Sequence, residues 1–460
     1  MTLQREQSNR VAITGASGRI RRRPALASVW TISFWTISLA SLVSACKAGD
    51  QTASPVTSSS DVSAATAAAA CTPVTYDVRV TGTTLTRNGS TWMPKGLQIR
   101  AFVSSRQVAN NSGDTVTINA QDAYGQAELD KAKQVFGADE LRFQVSQYSL
   151  STGDAGYLKT VSNAINLARC NGFVVIISMQ AEGRSGPDDR TWLPSQATKD
   201  AWLPLVNRFG ADRGVMLEIY NEPGGPDHSL DTWQRWAHGG TGDFANLKDG
   251  DTPIYGMQPM IDYLRAKGSK NVLIVDAVQL ASTFAGEAQL NSPLTDTVGD
   301  RADQILYGVH PYLRSPAAPD YPAPDYDSQF GTLSQQKPVI ATEWSAREGS
   351  VGLGLGTPPD YRLALTTLNF LIKHRIPLSA GAFDAPGIMA QDLTSYAPTN
   401  YDHYDANKCA ASKNNAGLLV QKMFSTSYFA QKLPDGPFLV LSDGVDGDND
   451  SPGYVGPCAH

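Results

Sequence analysis

Eight short apolar stretches, separated by helical patterns or long polar segments, constrain what this chain can fold into more than any other feature. They are Gly96 to Ile99, Glu140 to Val145, Phe173 to Met179, Val215 to Tyr220, Asn271 to Asp276, Gln304 to Val309, Pro338 to Thr342 and Leu378 to Phe383. A continuous β-branched run such as Phe173 to Ser178 suits a strand buried on both faces, as in a parallel sheet. Helical spacing lies between most of the stretches, over Gln121 to Phe136, Tyr255 to Lys267, Tyr361 to His374 and Leu418 to Lys432. Tyr157, Leu158, Val161, Ile165 and Ala168 follow the same spacing and stop at Asn171-Gly172. Eight βα units over residues 71–460 predict the α/β class, a (β/α)8 TIM barrel with long βα loops. A doubly wound sheet shows similar alternation but needs a switch-point site. No period that would mark a solenoid or propeller is visible. Ahead of the first stretch, Tyr76 to Val80 and Thr83 to Thr86 alternate, and a turn signal stands at Asn88-Gly89, which predicts a short N-terminal β-hairpin.

The 460 residues carry a formal charge of −6, with no basic block beyond the N-terminal segment. Nucleic-acid binding is therefore not expected, because a phosphate backbone needs a basic footprint. Residues 19–23 read RIRRR, and Pro24 to Ala45 hold no charge. That is the layout of a signal peptide over residues 1–45. It ends in Val43-Ser44-Ala45-Cys46, which resembles a bacterial lipoprotein box and implies lipidation of Cys46. A plain signal peptide or an uncleaved span would export the chain as well. Lys47 follows the cysteine, and by resemblance to Gram-negative lipoproteins this favours the outer membrane over a periplasmic or secreted location. Residues 46–70 are read as a flexible tether, since Ala, Ser and Thr make up 16 of the 24 residues after Cys46. Upstream, Val11 to Ile20 (VAITGASGRI) imitates a dinucleotide-binding start, but Arg21 takes the third glycine position and no βαβ unit follows.

Four cysteines remain: Cys71, Cys170, Cys409 and Cys458. An even number in an exported chain suggests two disulfides with three possible connectivities. One of them pairs Cys71 with Cys170, pinning the N-terminus to a helix end, and Cys409 with Cys458, clipping the C-terminal segment. The spacings are too wide for a CxxC metal site.

Chemistry in such a barrel sits just after the strands, at their C-terminal ends. The fourth stretch runs into Asn221-Glu222-Pro223, the sixth into His310-Pro311-Tyr312 and the seventh into Glu343-Trp344, while the second contains Arg142. Two carboxylates at one barrel mouth are what glycoside hydrolysis requires, one as acid and one as nucleophile. With this ordered set the chain resembles glycoside hydrolase family 5 and the wider clan of TIM-barrel retaining glycosidases, over roughly residues 90–430. The resemblance implies Glu222 as acid/base, Asn221 on the sugar 2-hydroxyl and Glu343 as nucleophile. It also implies that Tyr312 and Arg142 keep Glu343 ionised and that His310 lines the site.

Two positions depart from the family pattern. Met179-Gln180-Ala181-Glu182 stands where many members carry histidines, and Phe383-Asp384 where a sugar-stacking Trp is usual. A decorated or mixed β-glycan is accordingly expected to be cleaved better than crystalline cellulose. Trp192, Trp233, Trp236 and Trp344 fall in or near βα loops, with Trp344 the first choice for stacking on a sugar and the others read mainly as packing anchors. Glu182, Asp384, Asp188 and Asp189 could contact substrate hydroxyls, but are read first as solvated loop charges. The mechanism needs no cofactor, and the six histidines show no metal-ligand spacing. Asp443 to Asp450 imitates a calcium loop without its terminal glutamate. The resulting expectation is a lipid-tethered, monomeric, retaining glycosidase acting on a β-linked polysaccharide or oligosaccharide. The competing one is a carbohydrate-binding surface lipoprotein on a barrel without turnover.

Overall fold

The computed structural model describes residues 71–100, 102, 107–109, 115–117, 124–181, 191–290, 292–297, 302–312, 325–345, 361–386, 388–399 and 417–425. Cys46, Glu182, Asp188, Asp189, Cys409, Cys458, the Val11–Ile20 segment and Asp443–Asp450 lie outside the described residues.

The chain enters through three short strands, β1 (Val78–Thr81), β2 (Thr84–Arg87) and β3 (Ser90–Trp92). They form an antiparallel meander, the expected hairpin extended by a third strand. The reason lies in two turn sites: Gly82 reverses the chain at φ 60, and Asn88-Gly89 reverses it again at φ 53 and 81. The first barrel strand, β4 (Lys95–Ile99), follows, and beyond it a two-stranded ribbon of β5 (Gln107–Ala109) and β6 (Thr115–Thr117). Next come β7 (Glu140–Ser146), β8 (Val174–Gln180) and β9 (Val215–Glu218). After β9 the chain makes a second ribbon, β10 (Gly239–Asp243) with β11 (Lys248–Tyr255). The last four barrel strands are β12 (Val272–Asp276), β13 (Ile305–Val309), β14 (Val339–Trp344) and β15 (Leu378–Ala380).

The eight strands β4, β7, β8, β9, β12, β13, β14 and β15 close on themselves as a parallel barrel, β15 pairing back onto β4. All eight sequence stretches are present, but β9 and β15 stop earlier than their apolar runs. Regular extended backbone ends at Glu218 and Ala380, and Glu222 turns into the left-handed region at φ 52. Helices such as Gln126–Phe136, Ala155–Cys170, Gln196–Phe209 and Met257–Ala266 connect the strands. Two of them start later than their apolar spacing suggests, after the extended glycines Gly125 and Gly256.

Alternation along each strand splits the core into two layers. Leu141, Phe143 and Val145, Val175 and Ile177, Leu273 and Val275 face outward and pack under the helices. Val174, Ile176, Met216, Val272, Ile274, Leu306 and Ile340 fill the lower barrel interior. Val78, Leu85 and Trp92 of the meander join that interior cluster. The Trp92 indole donates to Asp139 at 2.7 Å, and the backbone of Lys95 donates to the other Asp139 oxygen at 3.0 Å, so the meander seals the floor. Cys71 is disulfide-bonded to Cys170 with Cα atoms 5.8 Å apart, and the Tyr76 hydroxyl donates to the Gly172 carbonyl nearby.

Candidate active site

Above the apolar floor the inward positions turn polar. On β7 the inward residues are Glu140, Arg142 and Gln144; β8 supplies Ser178 and Gln180, β9 Glu218 and β12 Asp276. Arg142 is fully buried at the centre. It grips both oxygens of Glu218, at 2.6 Å from Nε and 2.7 Å from Nη2. Nη2 also donates to Ser178 Oγ at 2.9 Å and Asn221 Oδ1 at 2.7 Å, while Nη1 donates to Glu343 Oε2 at 2.9 Å. Burial opposes the charge on Arg142, but Glu218 and Glu343 outweigh it and hold the guanidinium cationic. Burial likewise pushes the Glu218 carboxyl up, and the bidentate arginine reverses this and carries it far below the usual carboxylate range.

Glu343 owes its position to an irregularity in β14. Between Ala341 and Trp344 the strand carries one residue more than β15 does between Leu378 and Ala380. A bulge of this kind re-aims side chains. Thr342 and Glu343 consequently both serve the polar interior, Thr342 toward His310 and Glu343 toward Arg142. Glu343 Oε2 accepts from Gln98 at 2.9 Å, Arg142 at 2.9 Å and Gln144 at 2.8 Å, and Oε1 accepts from the Tyr312 hydroxyl at 2.8 Å. Burial favours the protonated form of Glu343, but cationic His310, Arg142 and Arg100 and the Tyr312 hydroxyl dominate and lower its pKa to about 2. Burial and the Glu343 charge hold the Tyr312 phenol well above its ordinary range, so it remains a donor.

The same bulge explains why Trp344 does not offer a sugar platform. The side chain turns into the layer outside the barrel and is 1% exposed. Trp233 and Trp236 are buried as well, their indoles donating to the carbonyls of Ala285 and Asp276. Trp192 alone of the four is only partly buried, and it lies against Gly224, just beyond Glu222. Asp384 corrects the solvated reading: it is buried, and both oxygens accept the Arg100 backbone N–H, at 3.0 and 2.9 Å.

Beyond β9 the chain keeps pairing irregularly, Asn221 donating to the Met179 carbonyl at 2.9 Å, before Glu222 enters the left-handed region. That backbone costs a non-glycine residue about 1–3 kcal/mol and needs support from its surroundings. The Glu222 N–H donates to Asp276 Oδ2 at 3.2 Å. Its Oε1 lies 3.1 Å from His310 Nδ1, while His310 Nε2 lies 3.1 Å from Thr342 Oγ1. Burial alone would discharge His310, but hydrogen bonding to Glu218 and Glu222 and the charge of Glu343 outweigh it and raise its pKa to about 10. As an imidazolium it donates from both ring nitrogens. The side chains of Glu222 and Glu343 remain 20% and 14% exposed, so both reach the mouth.

Donor atoms of Glu222, His310 and Glu343 lie within 4.8 Å of one another, as do those of Glu218, Asp276 and His310. Neither group has the character of a metal centre. Most of their acceptors are already engaged by N–H and O–H donors, Asp276 Oδ1 being the exception, and the Arg142 guanidinium occupies the side of Glu218 and Glu343 where a cation would bind.

The site therefore unites Arg142, Asn221, Glu222, His310, Tyr312 and Glu343 from four strands, and it excludes Trp344. Gln98, Gln144, Ser178, Glu218, Asp276 and Thr342 complete it, and none of these was singled out from sequence as part of the site. Their signal was the strand period: in Met216-Leu217-Glu218 and Ile274-Val275-Asp276 an inward apolar residue is followed two positions later by a carboxylate.

The family model described as Cellulase (glycosyl hydrolase family 5) matches residues 103–378, more than half of the chain. Among solved structures the chain is similar to a β-glucanase from Saccharophagus degradans, with 17% identity, 76% of this chain and 93% of that chain covered, and a TM-score of 0.53. The same glucanase in complex with cellotetraose is matched at 16% identity with equal coverage and TM-score. A hyperthermophilic endocellulase from the archaeon Pyrococcus horikoshii is matched at 16% identity over 70% of this chain and 96% of that chain, with a TM-score of 0.51. No curated protein matches the chain. At these identities the solved structures support the barrel fold.

Proposed function

Given that this chain belongs to the cellulase family, glycosyl hydrolase family 5, and is a glycoside hydrolase, we propose that it cleaves a β-linked glycan by double displacement, with Glu343 as nucleophile and Glu222 as acid/base. The observation that carries this reading is the pairing of the two carboxylates at the barrel mouth. Glu343 is held as an anion by four donors, and a Glu222 oxygen lies within 4.8 Å of a Glu343 oxygen. Retaining enzymes keep the two carboxyl groups about 5–5.5 Å apart, whereas inverting ones leave room for a water.

In the first step Glu343 attacks the anomeric carbon as the bond to the leaving sugar breaks, and the leaving oxygen takes a proton from Glu222. Asn221, fixed by Arg142 through Oδ1, contacts the sugar 2-hydroxyl. In the second step Glu222 removes a proton from water, the water oxygen attacks the same carbon, and Glu343 departs as a carboxylate. His310, with Nδ1 3.1 Å from Glu222 Oε1, donates a hydrogen bond to the carboxylate that Glu222 becomes between the two steps and keeps its own proton. Acid/base transfer of this kind is worth about 10²–10⁴ in rate.

The substrate class follows from the β-glucanase and endocellulase likenesses together with the departures from the family pattern. Buried Asp384 and Gln180 stand where aromatic or histidine side chains are usual, so a decorated or mixed β-glycan is preferred to crystalline cellulose. The site would work at the bacterial envelope, held there by a lipid on Cys46. Glu343→Ala should abolish turnover. Glu222→Ala should still be glycosylated by substrates with good leaving groups and be rescued by azide. Inverted product in an early NMR time course, near-normal activity of Glu343→Ala, or plain cellulose as best substrate would each reject the corresponding part.

A further inference from the structure

We propose that Asp276, at the end of β12, is a positioning residue for Glu222, holding the main chain of the acid/base in its left-handed conformation by accepting the Glu222 N–H. The inference rests on the reading of Glu222 as acid/base. Asp276 is fully buried and reaches Glu222 by two routes. Oδ2 accepts the Glu222 backbone N–H at 3.2 Å and lies 3.7 Å from Nε2 of His310, the imidazole whose other nitrogen meets the Glu222 carboxylate. The backbone of the acid/base is thus tied to this carboxyl, which also stands beside the imidazole that meets its side chain.

The surroundings are shaped around that carboxyl. Gly308 on the adjacent β13 has no Cβ, and one placed there would stand 2.2 Å from Asp276 Oδ1. The Asp276 carbonyl accepts the Trp236 indole at 2.9 Å, and Ala277 donates to the Gly308 carbonyl at 3.0 Å, so the strand end cannot drift. Burial, and then the charge of Glu218, hold Asp276 well above the usual carboxylate range. It therefore supplies an acceptor oxygen without adding a third anion beside Glu218 and Glu343. An unsupported Glu222 would relax away from the left-handed region and carry its carboxyl off the leaving oxygen, which weakens protonation and little else.

Aryl β-cellobiosides graded from a 2,4-dinitrophenyl to a phenyl leaving group separate this role from a general structural one, because only poor leaving groups need the acid. Asp276→Leu should lose about 10- to 100-fold in kcat/KM on the phenyl glycoside and change by less than about threefold on the dinitrophenyl one. Asp276→Asn, which keeps a neutral acceptor, should stay within about threefold of wild type across the series. Asp276→Ala serves in the same way if the leucine variant does not fold. Equal slowing across the series, no slowing, or an asparagine variant that follows the leucine one would overturn the proposal. Glu222→Ala in the same series tests the underlying reading separately. If it shows no leaving-group dependence, the acid/base assignment fails and this inference with it; if it does and the Asp276 variants do not, positioning alone fails.

Discussion

A guanidinium sealed from water needs acceptors for its N–H groups, and Arg142 places five hydrogen bonds on Glu218, Ser178, Asn221 and Glu343. Lysine is a single point charge and cannot bridge these groups. Arg142→Lys should therefore destabilise the fold by about 3–5 kcal/mol, because Glu218 keeps its charge and loses its fork. The same change should lower kcat at least about a hundredfold through loss of order at Glu343 and Asn221. Thermal unfolding alongside kcat checks both, and a variant with wild-type melting would show that the buried pair is not what holds the site. That Glu222, His310, Tyr312 and Glu343 gather at one barrel mouth was legible from sequence because they sit at strand ends in a recognisable order. Glu218 and Asp276 were not, because a carboxylate inside an apolar strand looks like a boundary until the inward period is followed through it. Trp344 was misread for a related reason: chain adjacency to Glu343 says nothing about direction once a bulge intervenes.

At the scale of the element, strand count and order were legible because eight apolar runs leave few parallel arrangements. Strand ends were not, since β9 and β15 are cut short by local backbone geometry that hydropathy does not record. The polar filling of the barrel extends to its floor at the first residue of β7. Glu140 is fully buried there, accepts from Ser379 Oγ at 2.6 Å, and occupies the space that Gly96 leaves open. Burial raises its pKa from 4.5 to about 8, the Ser379 hydrogen bond opposing this only in part. Between those two values the folded chain holds a proton that the unfolded chain has lost. The unfolded state then binds fewer protons, so stability falls as pH rises through the window, by up to ~1.4 kcal/mol per pH unit, and the cost is complete above about pH 8. Glu140→Gln should flatten this slope and melt higher than wild type at pH 8. Melting curves of the two proteins that stay parallel from pH 5 to pH 8 would show that the carboxyl keeps its ordinary titration.

For the whole molecule, the two ends of the barrel have different tasks. The mouth holds Glu222 and Glu343, and the floor is closed by the meander and by the Cys71–Cys170 disulfide. Cys170 ends the helix that leads into β8, so Cys71 lies at the floor, on the face away from the site. The 24 residues between Cys46 and Cys71 are mostly Ala, Ser and Thr. On the reading proposed above, the basic RIRRR segment, the uncharged Pro24 to Ala45 stretch and Val43-Ser44-Ala45-Cys46 would direct a lipid to Cys46. In a bacterial host the wild-type chain should therefore take up labelled fatty acid and sediment with membranes. It should also cleave soluble β-glycan in that fraction. Cys46→Ser should lose the label and either appear in the soluble fraction or stall with its leader attached. A wild-type chain that never acquires the label would remove the anchor, while leaving the chemistry at the opposite end of the barrel untouched.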